Sequence, residues 1–554
     1  VFRHRSVAPG AFCLQAENGI QLMTQKKKPN FILIMTDQHR ADHLGCYGHP
    51  VLRTPHIDSL AEQGALFDEF YVASPVCMPN RASLMTGRMP SVHGVRANGI
   101  PLSMQQVTFV ELLREAGYAT GLVGKSHLQN FVGAPVVLEQ SAPPENYHIP
   151  PENLSQAVRE HLTAECYRNE EPDFWSKENP RVQTPFYGFD HVDLVTGHGD
   201  GVGGDFKQWL LEREPEAASL LGPDNQLPHD YVCPQAVRTA LPEALYPTSY
   251  IAERAEAFIK QQAAEQPFFL MVSFPDPHHP FNPPGRYWDM YRPEDMQVPE
   301  AFENEDWVPP PHVEALYKVR DSGNALLNGM NTIGVSKQEA LEARALTCGM
   351  ISMIDDAVGR LLKALDDAGE RENTVILFTS DHGDHLGDHR LLLKGAEQYR
   401  DILRVPFIWS DPANKSKGLR THALGSTIDI PSTILDRAEI VPFAGMQGRS
   451  LLSVAQGEKH KERDTVFIQY DHQRTHPGLG GPPRVHTIFD GRWRLSVFHG
   501  VEWGELYDLQ ADPGEFTNEW HNPEHLEVRC RLMEKLARAE IEHIDRVPLP
   551  TSLA

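Results

Sequence analysis

The run NFILIMTD, Asn30 to Asp37, is apolar at successive positions and ends on a carboxylate. A strand apolar on both faces is buried on both faces, which calls for a parallel sheet covered by helices on each side. The pattern recurs in ATGLVGK (Ala119 to Lys125), PFFLMVSF (Pro267 to Phe274), TVILFTSDH (Thr374 to His382) and VPFIWSD (Val405 to Asp411). These runs alternate with helical patterns such as TFVELLREAG, IAERAEAFIKQQA and MISMIDDAVGRLLKALDDAG. The alternation predicts an α/β fold with a large, mostly parallel sheet flanked by helices. Ligands in such folds collect beyond the carboxyl ends of the strands.

Two departures from this rhythm suggest how the chain is divided. From about Phe131 to Pro247 it is rich in Pro, Glu, Asn and Gly and weakly periodic, and it reads as an insertion over the sheet's edge, serving as a cap or a substrate gate. After STIDIPSTILDRAEI come short β patterns (DTVFIQYD, VHTIFDGRWRLSVF, GELYDL) and a final helix from about Pro523 to Glu542. The expected organisation is a poorly ordered extension over 1–28, an α/β catalytic domain over 29–442 containing the 131–247 insertion, and a smaller α+β domain over 443–554. The extension has basic residues but no apolar core, so it does not read as a secretory signal, and Met23 is a candidate natural start.

The net charge of −24 repels a phosphate backbone and an anionic membrane alike, so neither nucleic acid nor a membrane surface is an expected partner. No run of about 18 apolar residues is present. An anionic small substrate would need local cations or a metal to overcome the same repulsion. The seven cysteines are odd in number and scattered without a C-x-x-C pair, which argues against a disulfide framework or a structural zinc site and favours a reducing cytoplasm.

Two oxygen-donor pairs stand at strand ends: Asp37 and Gln38 in MTDQ, and Asp381 and His382 in TSDH. At one edge of one sheet they would make a hard-to-borderline divalent metal site. SPVCMPNRASLMTG follows GALFDEFYVA, read as a strand leading to the same edge, and NRASLMTG reads as the first turns of a helix. That places Cys77 near a helix N-terminus beside Arg81, where dipole and guanidinium would lower a thiol pKa, so a thiolate nucleophile or metal ligand is expected.

CMPNR satisfies C-x-P-x-R, and with ASLMTG behind it the stretch resembles the signature of the type I, formylglycine-dependent sulfatases of the alkaline phosphatase superfamily. The resemblance extends in order through NFILIMTDQ, TPHIDSLAEQGALF, GKSHL, FPDPHHPF, TSDHGDHLGDH, LLKGAEQYRDILRVP and GELYDLQADPGEFTN. It implies an alkaline-phosphatase-like fold and conversion of Cys77 to formylglycine by a formylglycine-generating enzyme that reads Pro79 and Arg81. It also implies one divalent ion, calcium or manganese, held by Asp37, Gln38, Asp381, His382 and the modified Cys77. Arg81 resembles the residue that holds the formylglycine diol, and Lys125, His127 and Lys394 resemble the sulfate-binding set. Asn98 in RANGIP corresponds to a polar contact to the anion. His278 in DPHHPF corresponds to a general acid or anion-binding cation at the leaving group, with His279 as the variable position.

The implied reaction is hydrolysis of a sulfate monoester, with an aryl sulfate as the expected substrate. One diol oxygen attacks sulfur to form a covalent sulfate ester. The second hydroxyl then collapses to the aldehyde and expels sulfate. Many family members carry Asp-Asp and Asp-Asn where this chain has Asp37-Gln38 and Asp381-His382, a softer and less negative set that favours manganese or another transition ion over calcium. The Gln/His pattern resembles the branch of phosphonate monoester hydrolases and choline sulfatases. A phosphonate monoester or phosphodiester hydrolase is therefore the alternative, and promiscuity between the esters is expected. Lys125 and His127, where that branch has uncharged residues, tip the reading towards sulfate. A non-enzymatic protein with unmodified Cys77 is the remaining alternative. Asp384, His385, Asp388 and His389 are expected to support the site or shape its loop rather than bind a second metal. The leaving group is expected to meet the insertion and PPPHVEALYKVRDSGN, and the chain is expected to form a homo-oligomer.

Overall fold

The computed structural model describes residues 27–553 apart from 135, 137–144, 159 and 263–265, so the extension lies outside it up to residue 26. Nine strands form the central sheet in the order Leu419–Thr421, Ala65–Phe67, Phe407–Ser410, Thr374–Ser380, Asn30–Thr36, Phe268–Ser273, Ala119–Gly124, His191–Thr196 and Gly203–Gly204. The four consecutive strands from Thr374–Ser380 to Ala119–Gly124 are mutually parallel, with Thr36 opposite Ser380 and both Met35 and Gly124 opposite Ser273. They therefore end level, and Asp37, Lys125 and Asp381 leave the sheet at one edge. Phe407–Ser410 runs antiparallel to both neighbours. A parallel neighbour is usually reached through a crossover helix; between Ser380 and Phe407 the chain has the 3-10 turn Asp388–Arg390, the short strand Leu391–Leu392 and the four-residue helix Arg400–Leu403, and no long helix.

Both faces of the sheet are buried, as the unalternating runs predict. Phe31, Leu33, Met35, Val375 and Leu377 face one apolar layer, while Ile32, Ile34, Ile376 and Phe378 face the other. The second layer is covered by the helices Pro247–Gln262 and Lys337–Ala368. The first is covered by Cys77–Thr86, Phe109–Glu115 and Asp429–Arg437. Each large aliphatic or aromatic side chain so buried contributes about 1.5–3 kcal/mol. The 32-residue helix Lys337–Ala368 opens with a capping box from Ser336 and Glu339 and stops at Gly369 in the left-handed region.

The region read as an insertion also extends the sheet: His191–Thr196 pairs parallel to Ala119–Gly124, and Gly203–Gly204 adds an antiparallel edge. Near the C-terminus, Val466–Asp471, Arg484–Phe489, Trp493–Phe498 and Gly504–Asp508 form an antiparallel sheet, against which the helix Leu526–Glu542 packs Leu532, Leu536 and Ala539. This sheet is joined to the main body: Gln469 N–H donates to the Ala73 carbonyl at 2.9 Å, and the Tyr71 and Phe489 rings lie 5.0 Å apart. Among the described residues, no helix is long and apolar enough to cross a membrane.

Candidate active site

The helix Cys77–Thr86 begins at the reactive-looking cysteine, ends at Gly87 in the left-handed region, and is buried along its whole length. Its polar side chains must therefore find partners inside the protein. Asn80 accepts from Ala73 N–H at 3.0 Å and donates to the Asp381 carbonyl at 2.6 Å. Arg81 donates from Nε to Asp381 Oδ2 at 2.7 Å and from one terminal nitrogen to the Lys125 carbonyl at 3.0 Å and Ser273 Oγ at 2.9 Å. One guanidinium thus ties together the ends of three strands of the parallel set, and its other terminal nitrogen lacks a hydrogen-bond partner, 4.0 Å from Asp37 Oδ2.

Cys77 is 1% exposed and faces both acidic strand ends. Its thiol lies 3.1 Å from His382 Nε2 and 3.8 Å from Asp37 Oδ1. His382 Nδ1 lies 2.9 Å from the Gly383 carbonyl, which only accepts, so Nδ1 carries the proton and Nε2 presents a lone pair. Burial lowers the His382 pKa to about 4 and keeps the ring neutral. Asp37, Cys77, Asp381 and His382 each offer a ligand atom within 4.8 Å of the others. Two carboxylates, a lone-pair imidazole nitrogen and an oxidisable sulfur fit a divalent ion. Gln38 stands beside this group with its backbone in the left-handed region, φ 62°. Its carboxamide Oε1 accepts from Lys394 Nζ at 2.5 Å, and its NH2 donates to Asp384 and, at 3.1 Å, to His279 Nδ1.

The thiolate expectation is not met. Burial, followed by the Asp37 carboxylate, pushes the Cys77 thiol up to about 11, outweighing Lys394 and Lys125. A helix N-terminus lowers a thiol pKa only when the desolvation cost is smaller, and here the whole helix is sealed.

Two lysines approach from opposite sides. Lys125 pairs with Asp37 and donates to His198 Nε2 at 2.7 Å; Lys394 donates to His278 Nε2 at 2.7 Å. The His198 and His278 rings are stacked, with centroids 3.6 Å apart and planes within 7°. His278 Nδ1 donates to the His279 carbonyl at 2.5 Å, so its Nε2 is an acceptor. Burial, and then the neighbouring His198, His279 and Lys394, hold His278 well below its ordinary pKa. At the position expected to serve as general acid or anion-binding cation, the ring is thus held neutral, by burial first and then by its neighbours. Burial and Lys125 likewise bring His198 down to about 3. Burial pushes Asp37 up, but the paired Lys125 outweighs it and holds the carboxylate well below its usual range.

Lys125 is aimed by Gly124, whose φ of +109° and position against the Ser273 carbonyl leave no room for a Cβ. His127 follows with φ 53°, its ring 3.9 Å from that of Phe131 and its buried Nδ1 unpartnered. Glu170 anchors this loop by accepting from the N–H groups of His127, Leu128 and Gln129 at 2.8, 3.1 and 3.0 Å. Asn98 Oδ1 accepts from Met78 N–H at 3.1 Å, capping the cysteine helix. All eleven residues singled out in the sequence converge on this region, and Cys77, Asn98, His127, His198 and Lys394 line one cavity of about 200 Å³. A larger cavity of about 390 Å³ beside Arg40, Arg344 and Asp388 includes none of them in its wall.

Asp384 supports the site by accepting from Gln38 and from the N–H groups of Leu386 and Leu393, while His385 pairs with Asp401 and Asp388 with Arg40. His198 and Glu170 escaped the sequence reading. His198 had a usable signal, since it follows the strand HVDLVT at a Gly-His-Gly turn, as the other site residues follow theirs. Glu170 had none.

The family model described as Sulfatase matches residues 29–440, and that described as N-sulphoglucosamine sulphohydrolase, C-terminal, matches 387–542. An arylsulfatase of Clostridium perfringens is 29% identical over 523 residues, 93% of this chain and 95% of that protein. A choline-sulfatase of Rhizobium meliloti is 27% identical over 90% of this chain and 83% of its own length. The phosphonate monoester hydrolase of Agrobacterium radiobacter superposes with a TM-score of 0.73 at 25% identity, covering 95% of this chain and 98% of that one.

Proposed function

The chain belongs to the sulfatase family and is a sulfuric ester hydrolase, and we propose that it hydrolyses aryl sulfate monoesters with a formylglycine formed from Cys77. The observation that carries this reading is the position of Cys77 between the Asp37–Asp381–His382 cluster and two lysines, each engaged with a neutral imidazole. Asp37, Asp381, His382 and the modified Cys77, with Gln38 beside them, would hold one divalent ion. The imidazole favours manganese over calcium. When bound, such an ion supplies Lewis acidity and lowers the pKa of the nucleophile. When installed, the formylglycine diol supplies that nucleophile and a route to release sulfate without water attacking the ester.

The remaining work falls to side chains. Lys125 and Lys394 orient the sulfate from two sides, exchanging their imidazole contacts for sulfate oxygens as negative charge builds there. An arriving anion also offsets the positive neighbours that, after burial, hold His278 and His198 neutral, and on this reading the rings can then hold and deliver a proton to the departing oxygen. His127 and Asn98 border the anion site. Arg81 keeps Asp381 and the strand ends fixed, with one nitrogen left for the diol. Residues 29–442 form the catalytic unit of this reading and 443–554 a smaller α+β unit. On this reading a formylglycine-generating enzyme matures the chain in a reducing cytoplasm, where the scattered, odd-numbered cysteines stay reduced. A homo-oligomer completes the proposal.

The Gln38/His382 pairing and the likeness to a phosphonate monoester hydrolase favour a second reading as a phosphonate or phosphate diester hydrolase. Turnover of an aryl sulfate and an aryl phosphonate monoester separates the two, and we expect the larger kcat/KM for the sulfate. A mass about 18 Da below that of cysteine is expected on the Cys77 peptide of active protein. An unmodified thiol in active protein would refute the formylglycine mechanism and revive the alternative of an unprocessed family member.

A further inference from the structure

The cavity at Cys77 does not end at the sulfate-binding lysines. It adjoins a second cavity of about 230 Å³, and Met330, Asn331, Gly395, Tyr470, His472 and Arg474 border both. The second cavity is walled largely by apolar groups, among them Leu316, Val319, Leu326, Ile333 and Pro477. Leu316 and Val319 come from the PPPHVEALYKVRDSGN segment, and the shared rim is completed by the loop after the strand Val466–Asp471. A leaving group longer than one ring would thus pass from the chamber that holds Cys77 and Lys394 into the second one across a rim bearing one guanidinium.

Among the described residues, Arg474 pairs with no carboxylate, and its one hydrogen bond is from the backbone N–H to His472 Nδ1 at 3.0 Å. Two acids near the rim in sequence, Asp471 and Glu397, have other partners. Asp471 pairs with Arg96 and Arg484 at 3.2 and 3.4 Å, and Glu397 accepts from Thr332 at 2.6 Å and pairs with His476 at 2.9 Å. Arg474 is one of several described arginines without a carboxylate partner, and it borders both the Cys77 cavity and its neighbour. A guanidinium there is suited to an oxyanion that presents two oxygens, which it binds with two parallel hydrogen bonds.

We infer that the leaving group carries a second oxyanion, bound by Arg474 at the junction of the two cavities, with its apolar remainder in the outer one. This rests on the sulfatase reading for the first anion, while Arg474 selects for the second. A carboxylate and a further sulfate ester present the same chemistry to a guanidinium, so both belong in the test.

Calorimetry on the full chain would compare 4-carboxybenzenesulfonate, benzene-1,4-disulfonate and the singly charged methyl ester of the first, all unreactive. Turnover would compare 4-carboxyphenyl sulfate, benzene-1,4-diyl disulfate and methyl 4-(sulfooxy)benzoate. We expect the doubly anionic members to bind at least tenfold more tightly and to show a kcat/KM at least tenfold higher than the methyl esters. R474Q should bring both ratios to within twofold of one, and R474K should retain part of the preference. The carboxylate and disulfate arms identify which oxyanion is preferred. Equal affinities in the unaltered protein, or a preference that survives R474Q, would overturn the inference. A binding preference lost in R474Q but accompanied by no turnover would refute the sulfatase reading and leave the anion site standing.

Discussion

At the scale of single residues, the site is governed by desolvation. The two lysines, the stacked imidazoles and the two carboxylates are closed off from water, so each proton is assigned by its neighbours. Lys394 donates to both Gln38 and His278, and replacing it with alanine removes one of two cations placed for the sulfate. We expect K394A to lower kcat on an aryl sulfate by roughly 10²–10³-fold, the cost of losing a preorganised charge donor; a loss below fivefold would count against its role. A different proton balance holds at His385. Burial alone would lower its pKa, but Asp401 and Glu397 outweigh it and raise the ring from 6.5 to about 10. Since folding raises this pKa, the stabilisation is complete below about 6.5 and is lost as the pH climbs to about 10, with a slope of up to about 1.4 kcal/mol per pH unit. Urea unfolding of the unaltered chain and of H385Q should show a stability gap at pH 6.5 that narrows by pH 9.5; a gap that widens contradicts the assignment.

At the scale of elements, what was legible in the sequence is what local pattern encodes. Unbroken apolar runs located the strands, and the residue just after each run located Asp37, Lys125 and Asp381, because a level parallel edge brings strand ends together. The direction of Phe407–Ser410 was not legible, since it depends on the lack of a crossover helix rather than on the strand's own residues. Nor was the Cys77 proton: CMPNRASLMT looks amphiphilic enough to lie at a surface, yet it is sealed. His198 and Glu170 reach the site only because the region read as an insertion also extends the sheet. Helix Lys337–Ala368 shows how an element can reverse a local preference. Gly349 lies in its interior, where alanine ordinarily gains about 1 kcal/mol. A Cβ there would sit 2.3 Å from the Tyr287 carbonyl oxygen, a backbone atom unable to swing aside. We expect G349A to destabilise the protein by about 1–3 kcal/mol, as overpacking does, and a raised melting temperature would show that the helix has room to shift.

For the whole molecule, the question is whether the C-terminal sheet is an appendage or part of the body that holds the site. Val466, Ile468, Phe489 and Tyr507 lie in the same apolar layer as Phe31, Leu33 and Phe70, with no polar boundary between them. Arg400 and Arg494, from the two regions, are bridged by Glu515, which accepts from Arg400 N–H at 2.7 Å and from Arg494 Nε at 2.5 Å. The loop carrying Arg474 also forms part of the cavity wall opposite Cys77. Separating the two parts would expose large aromatic surface and break the Arg400 N–H bond to the buried Glu515, so neither part has a stable state of its own. Sequence pattern at about residue 442 marks a change of architecture, whereas folding units are marked by cores, and here the core is common. Differential scanning calorimetry should accordingly record one endotherm for the full chain, and a chain ending at residue 442 should fail to accumulate as soluble, active protein. Two resolved endotherms, with the lower one leaving aryl sulfatase activity intact after cooling, would mean that the shared layer does not couple the parts.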